Sequence, residues 1–560
     1  MKQLIECVPN FSEGRDMSII KQITNEIESV EGVKLLDVDP GKATNRTVVT
    51  FVGEPTAAID AAFLAMKKAA ELIDMSKHTG EHPRQGATDV CPLIPIANIS
   101  MEETAEWAHK LGARVGRELD FPVFMYEAAA TRPERKNLAT IRAGEYEALP
   151  EKLKKADFKP DYGPAKFNAQ AGVTVIGARD FLIAYNVNLN TTSVRRANSV
   201  AFDVREQGRV KREGNPITGK ILRDKNDEAL RTAGSCKSVK GIGWFIEEYG
   251  IAQVSMNLTN ISETPLHVAF EECRKSAERR GMRVTGSEVV GLMPLKVVLD
   301  AGRYFLKKQN RSTGVSEAEL IKIAVKSMGM DDLAPFEPRK KIIEYLLEDN
   351  FSAPLIKMNL SAFADETASE SPAPGGGSVA AYVGALGVSL ATMVANLSSH
   401  KRGWDDRWEE FSDWAEKGQK IKEELVKLVD EDTNAFNAIM SAFRLPKGND
   451  EEKAARSQAI QDATKFAIET PLKTMEVSLN SFEIVKAMAD IGNPNSVTDA
   501  GVGALCARAA VHGAFLNVKI NCGDFKDKKY VKEILAKATK MTKEADKLEK
   551  EVMKIVNSKM

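Results

Sequence analysis

Of the 560 residues only six are histidine. Two of them stand together in His78-Thr-Gly-Glu-His-Pro-Arg-Gln-Gly-Ala-Thr-Asp-Val-Cys-Pro92. Histidine is the side chain whose ordinary pKa lies nearest neutrality, so it exchanges a proton at working pH without strong perturbation. His82 is flanked by Glu81, Arg84 and Asp89 in a Gly/Pro-rich stretch that precedes an apolar run. Glycine lets backbone approach a ligand closely, and loops on a rigid scaffold often carry catalytic groups. Two readings stand side by side: an exposed, positioned base, or a histidine that only hydrogen-bonds its own loop. A metal centre needs a third ligand, and none is evident nearby. Two further loops gather polar residues. One holds Asp39, Asn45 and Arg46; the other, residues 161–172, is bracketed by Gly163 and Gly172 between two α/β units. Clefts between domains are favoured ligand sites.

The C-terminal part offers different groups. Pro374-Gly-Gly-Gly-Ser-Val-Ala380 fails as a dinucleotide fingerprint because no strand precedes it, and it lacks the lysine of a P-loop. It is either a helix start that presents free N–H groups to an anion or one that needs close packing. Asp430, Glu431 and Asp432 are adjacent on an expected helix. Neighbours on a helix turn by about 100° and splay onto different faces. Asp432 shares its face with Leu428, Ala435 and Phe436. A carboxylate on an apolar face is either paired or poised for proton transfer.

These groups need a frame. Apolar and β-branched runs predict strands over residues 4–8, 33–38, 47–52, 89–96 and 122–126. Helical spacing predicts a helix over 55–73, and Ser100-Met-Glu-Glu103 is a capping box opening another that runs to 119. A second unit reads as strand 181–187, helix 191–204, hairpin 241–258, helix 264–280 and strand 284–290, the ferredoxin-like order. Residues 209–240, with Gly214, Pro216 and Gly219, read as a basic surface loop, a solvated insertion rather than a binding lid. From 357 onward the pattern is helical: 378–396, 404–430, 433–442, 451–488 broken at Pro471, and 528–556. The expected fold is therefore multidomain, two α/β (α+β, ferredoxin-like) subdomains followed by an all-α helical bundle. The expected boundaries are 1–181, 182–345, a linker at 346–356, and 357–560.

Lys+Arg is 78 and Asp+Glu 79, a net charge of −1, which lacks the basic excess of a non-specific nucleic-acid binder. At 43% hydrophobic and 28% charged residues, the chain is not disordered throughout. Six scattered cysteines and an N-terminus without a long apolar run suggest a reducing, cytoplasmic setting. Residues 371–399 are uncharged and long enough to cross a bilayer. Their Ala, Gly and Ser content instead suggests a closely packed buried helix.

Longer motifs run through the chain: Glu6-Cys-Val-Pro-Asn-Phe-Ser-Glu-Gly14, Asn45-Arg-Thr-Val48, Gly80-Glu-His-Pro-Arg84 and Arg142-Ala-Gly-Glu-Tyr-Glu-Ala-Leu-Pro150. Further along come Arg205-Glu-Gln-Gly-Arg209, Gly241-Ile-Gly-Trp244, Gln253-Val-Ser255 and Ala373-Pro-Gly-Gly-Gly-Ser-Val-Ala-Ala381. Together they resemble the bifunctional formimidoyltransferase-cyclodeaminase family, and the resemblance implies two reactions of histidine degradation. The N-terminal half would transfer a formimino group from N-formimino-L-glutamate to N5 of tetrahydrofolate, with His82 as proton acceptor. The C-terminal half would close 5,10-methenyltetrahydrofolate with loss of ammonia, with Asp432 as acid–base group. It further implies folate contacts at Gly163, Pro164, Phe167 and Gly172, a polyglutamylated folate, no metal and a homo-oligomeric ring of dimers. Lys166, Asn168 and Gln170 depart from the family pattern. Two alternatives are a C-terminal half that opens the methenyl ring with water, and a non-catalytic folate-binding assembly protein.

Overall fold

The computed structural model describes residues 3–42, 44–80, 82–215, 218–348 and 354–560. Glu81, Pro216 and residues 349–353 of the expected linker lie outside the described residues. The chain divides into two compact units. One comprises Met1–Val297 with Met328–Asp349, the other Val298–Ser327 with Asn350–Met560.

The first unit begins with a seven-stranded mixed sheet. Val33–Gly41 lies outside Arg46–Gly53, and Leu4–Cys7 and Asn10–Phe11 both pair between Arg46–Gly53 and Thr88–Ala97. Thr174–Ala178 and Val123–Glu127 then add in parallel. Strand residues alternate between faces. Ile5, Cys7, Phe11, Val49, Phe51, Cys91 and Leu93 pack into one apolar core with the helices Met17–Glu28, Pro55–Leu72 and Met101–Glu118. Glu6, Asn10, Val48, Thr50, Val90 and Pro92, one residue out of phase, line a cavity on the opposite face. The Ser100/Glu103 capping box forms as the sequence suggests.

The remainder of this unit is a four-stranded antiparallel sheet, Val239–Ile246, Ile251–Leu258, Ile183–Leu189 and Val284–Val290 in spatial order. With the helices Val194–Val204 and Leu266–Glu278 it has the expected ferredoxin-like connectivity. The basic stretch after residue 208 is not a featureless loop. Arg209–Val210 pairs with Arg231–Thr232, and bridges join Arg212 to Ile221 and Arg223 to Ala229.

In the second unit, long helices run over Gly376–Ser399, Trp408–Phe443, Asp450–Ile491, Val497–Asn521 and Lys528–Lys559. Their core is rich in alanine, including Ala381, Ala385, Ala391, Ala395, Ala504, Ala507 and Ala514. Three features differ from the sequence reading, the first being helix Val497–Asn521, which was not expected. Val298–Ser327 groups with these helices. The Gly314 carbonyl accepts from Asn396 and Gln419, and the Thr313 N–H donates to Ser412 Oγ. The expected break between residues 430 and 433 is absent. Pro471 does not break its helix either, which runs unbroken through 42 residues. Proline removes the N–H that would bond the carbonyl four residues back, here that of Ala467. Asn521 Nδ2 donates to that carbonyl at 2.7 Å and satisfies it.

Helices Gly376–Ser399 and Pro494–Asn521 are long and apolar enough to cross a membrane by length and composition, with 61% and 44% of the apolar window buried within the fold.

Candidate active sites

The open face of the first sheet, the 138–145 segment and one row of the second sheet enclose a cavity of about 640 Å³. Lys240, Asn257, Ala184 and Val290 form that row, register-paired across all four strands. His82 lines the cavity; His78 does not.

Hydrogen bonds explain the difference. His78 Nε2 lies 2.9 Å from the Asn45 carbonyl, which can only accept, and its Nδ1 receives Arg84 Nε at 3.3 Å. Both nitrogens are used in holding the loop. His82 Nδ1 lies 2.7 Å from the Pro83 carbonyl, which assigns the proton to Nδ1. Its Nε2 makes no hydrogen bond among the described residues, so its lone pair is available as a base. Arg84 anchors the loop through Glu145 and Glu147 at 2.7–3.0 Å.

The charges around His82 are arranged by a buried carboxylate. Asp89 is fully buried, accepts from Arg46 at 2.5 Å and Arg142 at 2.6 Å, and takes the Gln85 N–H at 2.9 Å. Burial pushes its pKa upward, but the two guanidiniums more than offset that, leaving it below the ordinary range. Burial, and then Arg46 and Arg142, push His82 down to about 4, against the Pro83 bond and Asp89. His82 is therefore neutral at physiological pH. The same cavity is lined by acids. Glu6, 4% exposed, is pushed up to about 7 by burial and by Glu344, against the attraction of Arg179. Burial and Asp39 raise Asp37. The lining carries cations, Arg46, Arg142, Arg179 and Lys240, and carboxyls, Glu6, Asp37 and Asp39, so the cavity suits a ligand carrying both charge types. Glu6 and Arg142 lie within the sequence motifs, where spacing alone marks no role for either. The signal for Glu6 was a charged residue inside the buried strand Leu4–Cys7, on the face opposite Ile5 and Cys7.

Gly163, Pro164, Phe167 and Gly172 do not line this cavity. Gly163 and Gly172 have φ of +76° and +69°, and a Cβ would meet the Phe121 and Gln85 carbonyls at 2.3 and 2.2 Å. Gly172 bridges to Gly86, and Tyr146 Oη donates to the Ala169 carbonyl. Residues 167–172 thus clasp the loop that carries His82. Asn168 Oδ1 accepts the N–H groups of Gln170 and Ala171, and Gln170 Nε2 donates to the Ala70 carbonyl. Two of the residues that depart from the family pattern are therefore used in loop bonding.

In the second unit the three adjacent acids separate as helical geometry requires. Asp430 is buried and accepts the Leu355 and Ile356 N–H groups at 3.0 and 3.2 Å. Glu431 is exposed. Asp432 reaches the start of helix Gly376–Ser399, where it accepts the Ser378 N–H at 2.8 Å and Ser378 Oγ at 3.1 Å. That helix has no side-chain cap of its own, so Asp432 supplies an acceptor to its free N–H groups. A Cβ at Gly377 would lie 2.1 Å from Asp432 Oδ1. The glycine run is thus the close-packing form of the two sequence readings. Burial raises the Asp432 pKa against both Ser378 bonds. Phe436, Met440 and Phe443 continue its face as an exposed apolar stripe. Among the described residues no group of three or more His, Cys, Asp or Glu could hold a metal ion.

Comparison with known proteins places these sites in context. The formiminotransferase N-terminal subdomain matches residues 4–179, the formiminotransferase domain 184–348, and formiminotransferase-cyclodeaminase 359–540. The chain is 44% identical to the formimidoyltransferase-cyclodeaminase of Gallus gallus over 97% of both chains. Its first part is 42% identical to the glutamate formimidoyltransferase of Streptococcus pyogenes, over 55% of this chain and 95% of that protein. Its last part is 36% identical to the methenyltetrahydrofolate cyclohydrolase of Methylorubrum extorquens, over 36% of this chain and 97% of that protein. With the likeness running through both units, the chain belongs to the formiminotransferase-cyclodeaminase family.

Proposed function

We propose that the protein transfers the formimino group of N-formimino-L-glutamate to tetrahydrofolate and then cyclises the product to 5,10-methenyltetrahydrofolate with loss of ammonia. The observation that carries this reading is a separate acid–base group in each unit, His82 on the mixed-charge cavity and Asp432 at the glycine-rich helix start. In the first step N5 attacks the amidine carbon and must lose a proton. The bare Nε2 of His82 is the acceptor. Arg46 and Arg142 offer charge to the donor's carboxylates, and the acidic strip to its cationic amidine. In the second step N10 attacks the same carbon, and Asp432 takes its proton and supplies one to departing ammonia.

Residues 163–172 would contribute folate contacts at Gly163, Pro164, Phe167 and Gly172, supported by family membership and, for residues 167–172, by packing on the His82 loop. Polyglutamylated folate, a place in histidine degradation, a cytoplasmic setting and a homo-oligomer complete the reading. Six free thiols support the compartment. Exposed apolar helix faces support the oligomer.

Mixing the chain with N-formimino-L-glutamate and tetrahydrofolate should release ammonia and methenyltetrahydrofolate in equal amounts. His82→Ala should abolish transfer but leave supplied 5-formimino-tetrahydrofolate convertible, and Asp432→Asn should do the reverse. The likeness to a cyclohydrolase favours a second reading of the C-terminal half, hydrolysis of the methenyl ring. Loss of methenyl absorbance without ammonia release would establish it.

A further inference from the structure

Resting on the transfer reading above, a second group in the same cavity has no other occupation. Glu6 sits on the strand Leu4–Cys7, between Arg46–Gly53 and Thr88–Ala97. Its side chain lies on the cavity face, and only 4% of the residue is exposed. It makes no hydrogen bond or ion pair among the described residues. Burying an unpaired carboxylate is costly, and an apolar residue would pack there without that cost. Neighbouring Val52 and Ile94, its register partners, are apolar and buried. The charges that act on it are Arg179 and Glu344, and Asp37, Asp39, Tyr126 and Lys240 line the same cavity.

The transfer step moves two protons. N5 of the folate loses one as its bond to the amidine carbon forms. The amine nitrogen of the departing glutamate needs one as its bond to that carbon breaks. We propose that Glu6 is the general acid that protonates the leaving glutamate nitrogen, while His82 accepts the N5 proton. The product is then 5-formimino-tetrahydrofolate and neutral-amine glutamate, with His82 protonated and Glu6 ionised. Passage of one proton from His82 to Glu6 through solvent restores both, and no oxidant or further reactant is required. Opposite displacement of the two pKa values, His82 down and Glu6 up, gives each group the form its role needs near neutral pH.

The test uses the full chain with Glu6→Gln and Glu6→Asp, assayed for transfer from pH 5 to 9. General acid catalysis is typically worth about 10²–10⁴-fold. Glu6→Gln should lower the transfer kcat by about 10²-fold or more, with substrate KM values changed less than about threefold. The native kcat/KM should fall on the alkaline side with a midpoint near 7, and this limb should be missing in Glu6→Gln and present in Glu6→Asp. A donor whose leaving amine is less basic should recover much of the lost rate. Because KM and the pH profile are read on each variant, a misfolded chain is distinguished from an inactive one, and the alkaline limb of the native chain tests the idea without any variant. Transfer within tenfold of native in Glu6→Gln, or an unchanged alkaline limb, overturns the proposal. If native chain transfers and His82→Ala does not, while Glu6→Gln behaves as native, the transfer reading stands and only this inference falls. If native chain does not transfer at all, the transfer reading itself falls.

Discussion

His78 and His82 are four residues apart, and the sequence stretch treats them alike. Hydrogen bonding separates them: the first spends both nitrogens on its own loop, the second keeps Nε2 for the cavity. No spacing rule shows this, because it depends on where the Asn45 and Pro83 carbonyls lie. The burial and cations that depress His82 also set its pH dependence. The active form of His82 is neutral, so its part in activity is lost as pH falls through its folded pKa. With that value near 4, transfer kcat/KM should stay level as pH falls from 6.5 to 5, where an ordinary histidine would lose most of its base form. Bound donor carboxylates offset Arg46 and Arg142, so the acid limb in kcat should lie at higher pH than in kcat/KM. An acid limb in kcat/KM near 6.5 would contradict the assigned environment. Glu6 makes the opposite prediction for stability. Its pKa is raised on folding, so its contribution is full below about pH 4.5 and is lost as pH rises through about 7. Glu6→Gln mimics the protonated form. Its melting temperature should match native at pH 4.5 and exceed it at pH 8, by up to about 3 kcal/mol in stability at about 1.4 kcal/mol per pKa unit. Calorimetry at the two pH values checks the sign.

At the scale of elements, strands 47–52 and 89–96 of the first unit were legible because they are continuous apolar and β-branched runs, as strands buried nearly throughout require, and the helices because caps and helical spacing mark them. Helix Val497–Asn521 was missed because neither signal marks it. It is apolar nearly all round, with Ala500, Ala504, Ala507, Val511 and Ala514 buried and exposed Val502, Leu505, Leu516 and Ile520 on another side, so no single stripe stands out. Pro471 misled because local rules cannot see Asn521, fifty residues on. Their partnership gives a double-mutant test. Asn521→Leu should cost about 1–3 kcal/mol by leaving the Ala467 carbonyl unpaired. In a Pro471→Ala background the restored N–H takes that carbonyl, and the same change should cost under about 0.5 kcal/mol beyond the effect of lost contacts. Equal costs in both backgrounds, measured by denaturant unfolding, would show that the Asn521 bond is incidental. The glycine run gives a sharper contrast. Alanine normally favours a helix over glycine by about 1 kcal/mol. At Gly376 a Cβ meets nothing closer than Asn517 Nδ2 at 3.5 Å, whereas at Gly377 it strikes the Asp432 carboxylate. Gly377→Ala should reduce conversion of 5-formimino-tetrahydrofolate by at least tenfold with transfer intact, and Gly376→Ala should leave both rates near native.

Across the whole molecule, the two units differ in what their exteriors reveal. In the second, Leu386, Met393 and Leu397 lie exposed along helix Gly376–Ser399, and Val502, Leu505, Leu516 and Ile520 along Val497–Asn521. Their spacings of three, four, seven and eleven residues keep each set on one side of its helix. Contiguous apolar surface of this kind marks interaction sites in soluble proteins. The sequence registered the first set only as part of an uncharged, bilayer-length segment, 371–399, because hydropathy does not distinguish a bundle core, a subunit interface and a lipid-facing span. A second copy of the chain is the occupant most consistent with half-buried helices whose remaining faces are apolar rather than charged. Replacing Leu516 and Ile520 together by lysine places two charges where burial would be required. Light scattering should then report a species of half the native mass or less, with the helical circular dichroism of the unit retained. An unchanged mass would remove this face from the assembly. A native chain recovered only with membranes and solubilised only by detergent would instead assign the face to lipid.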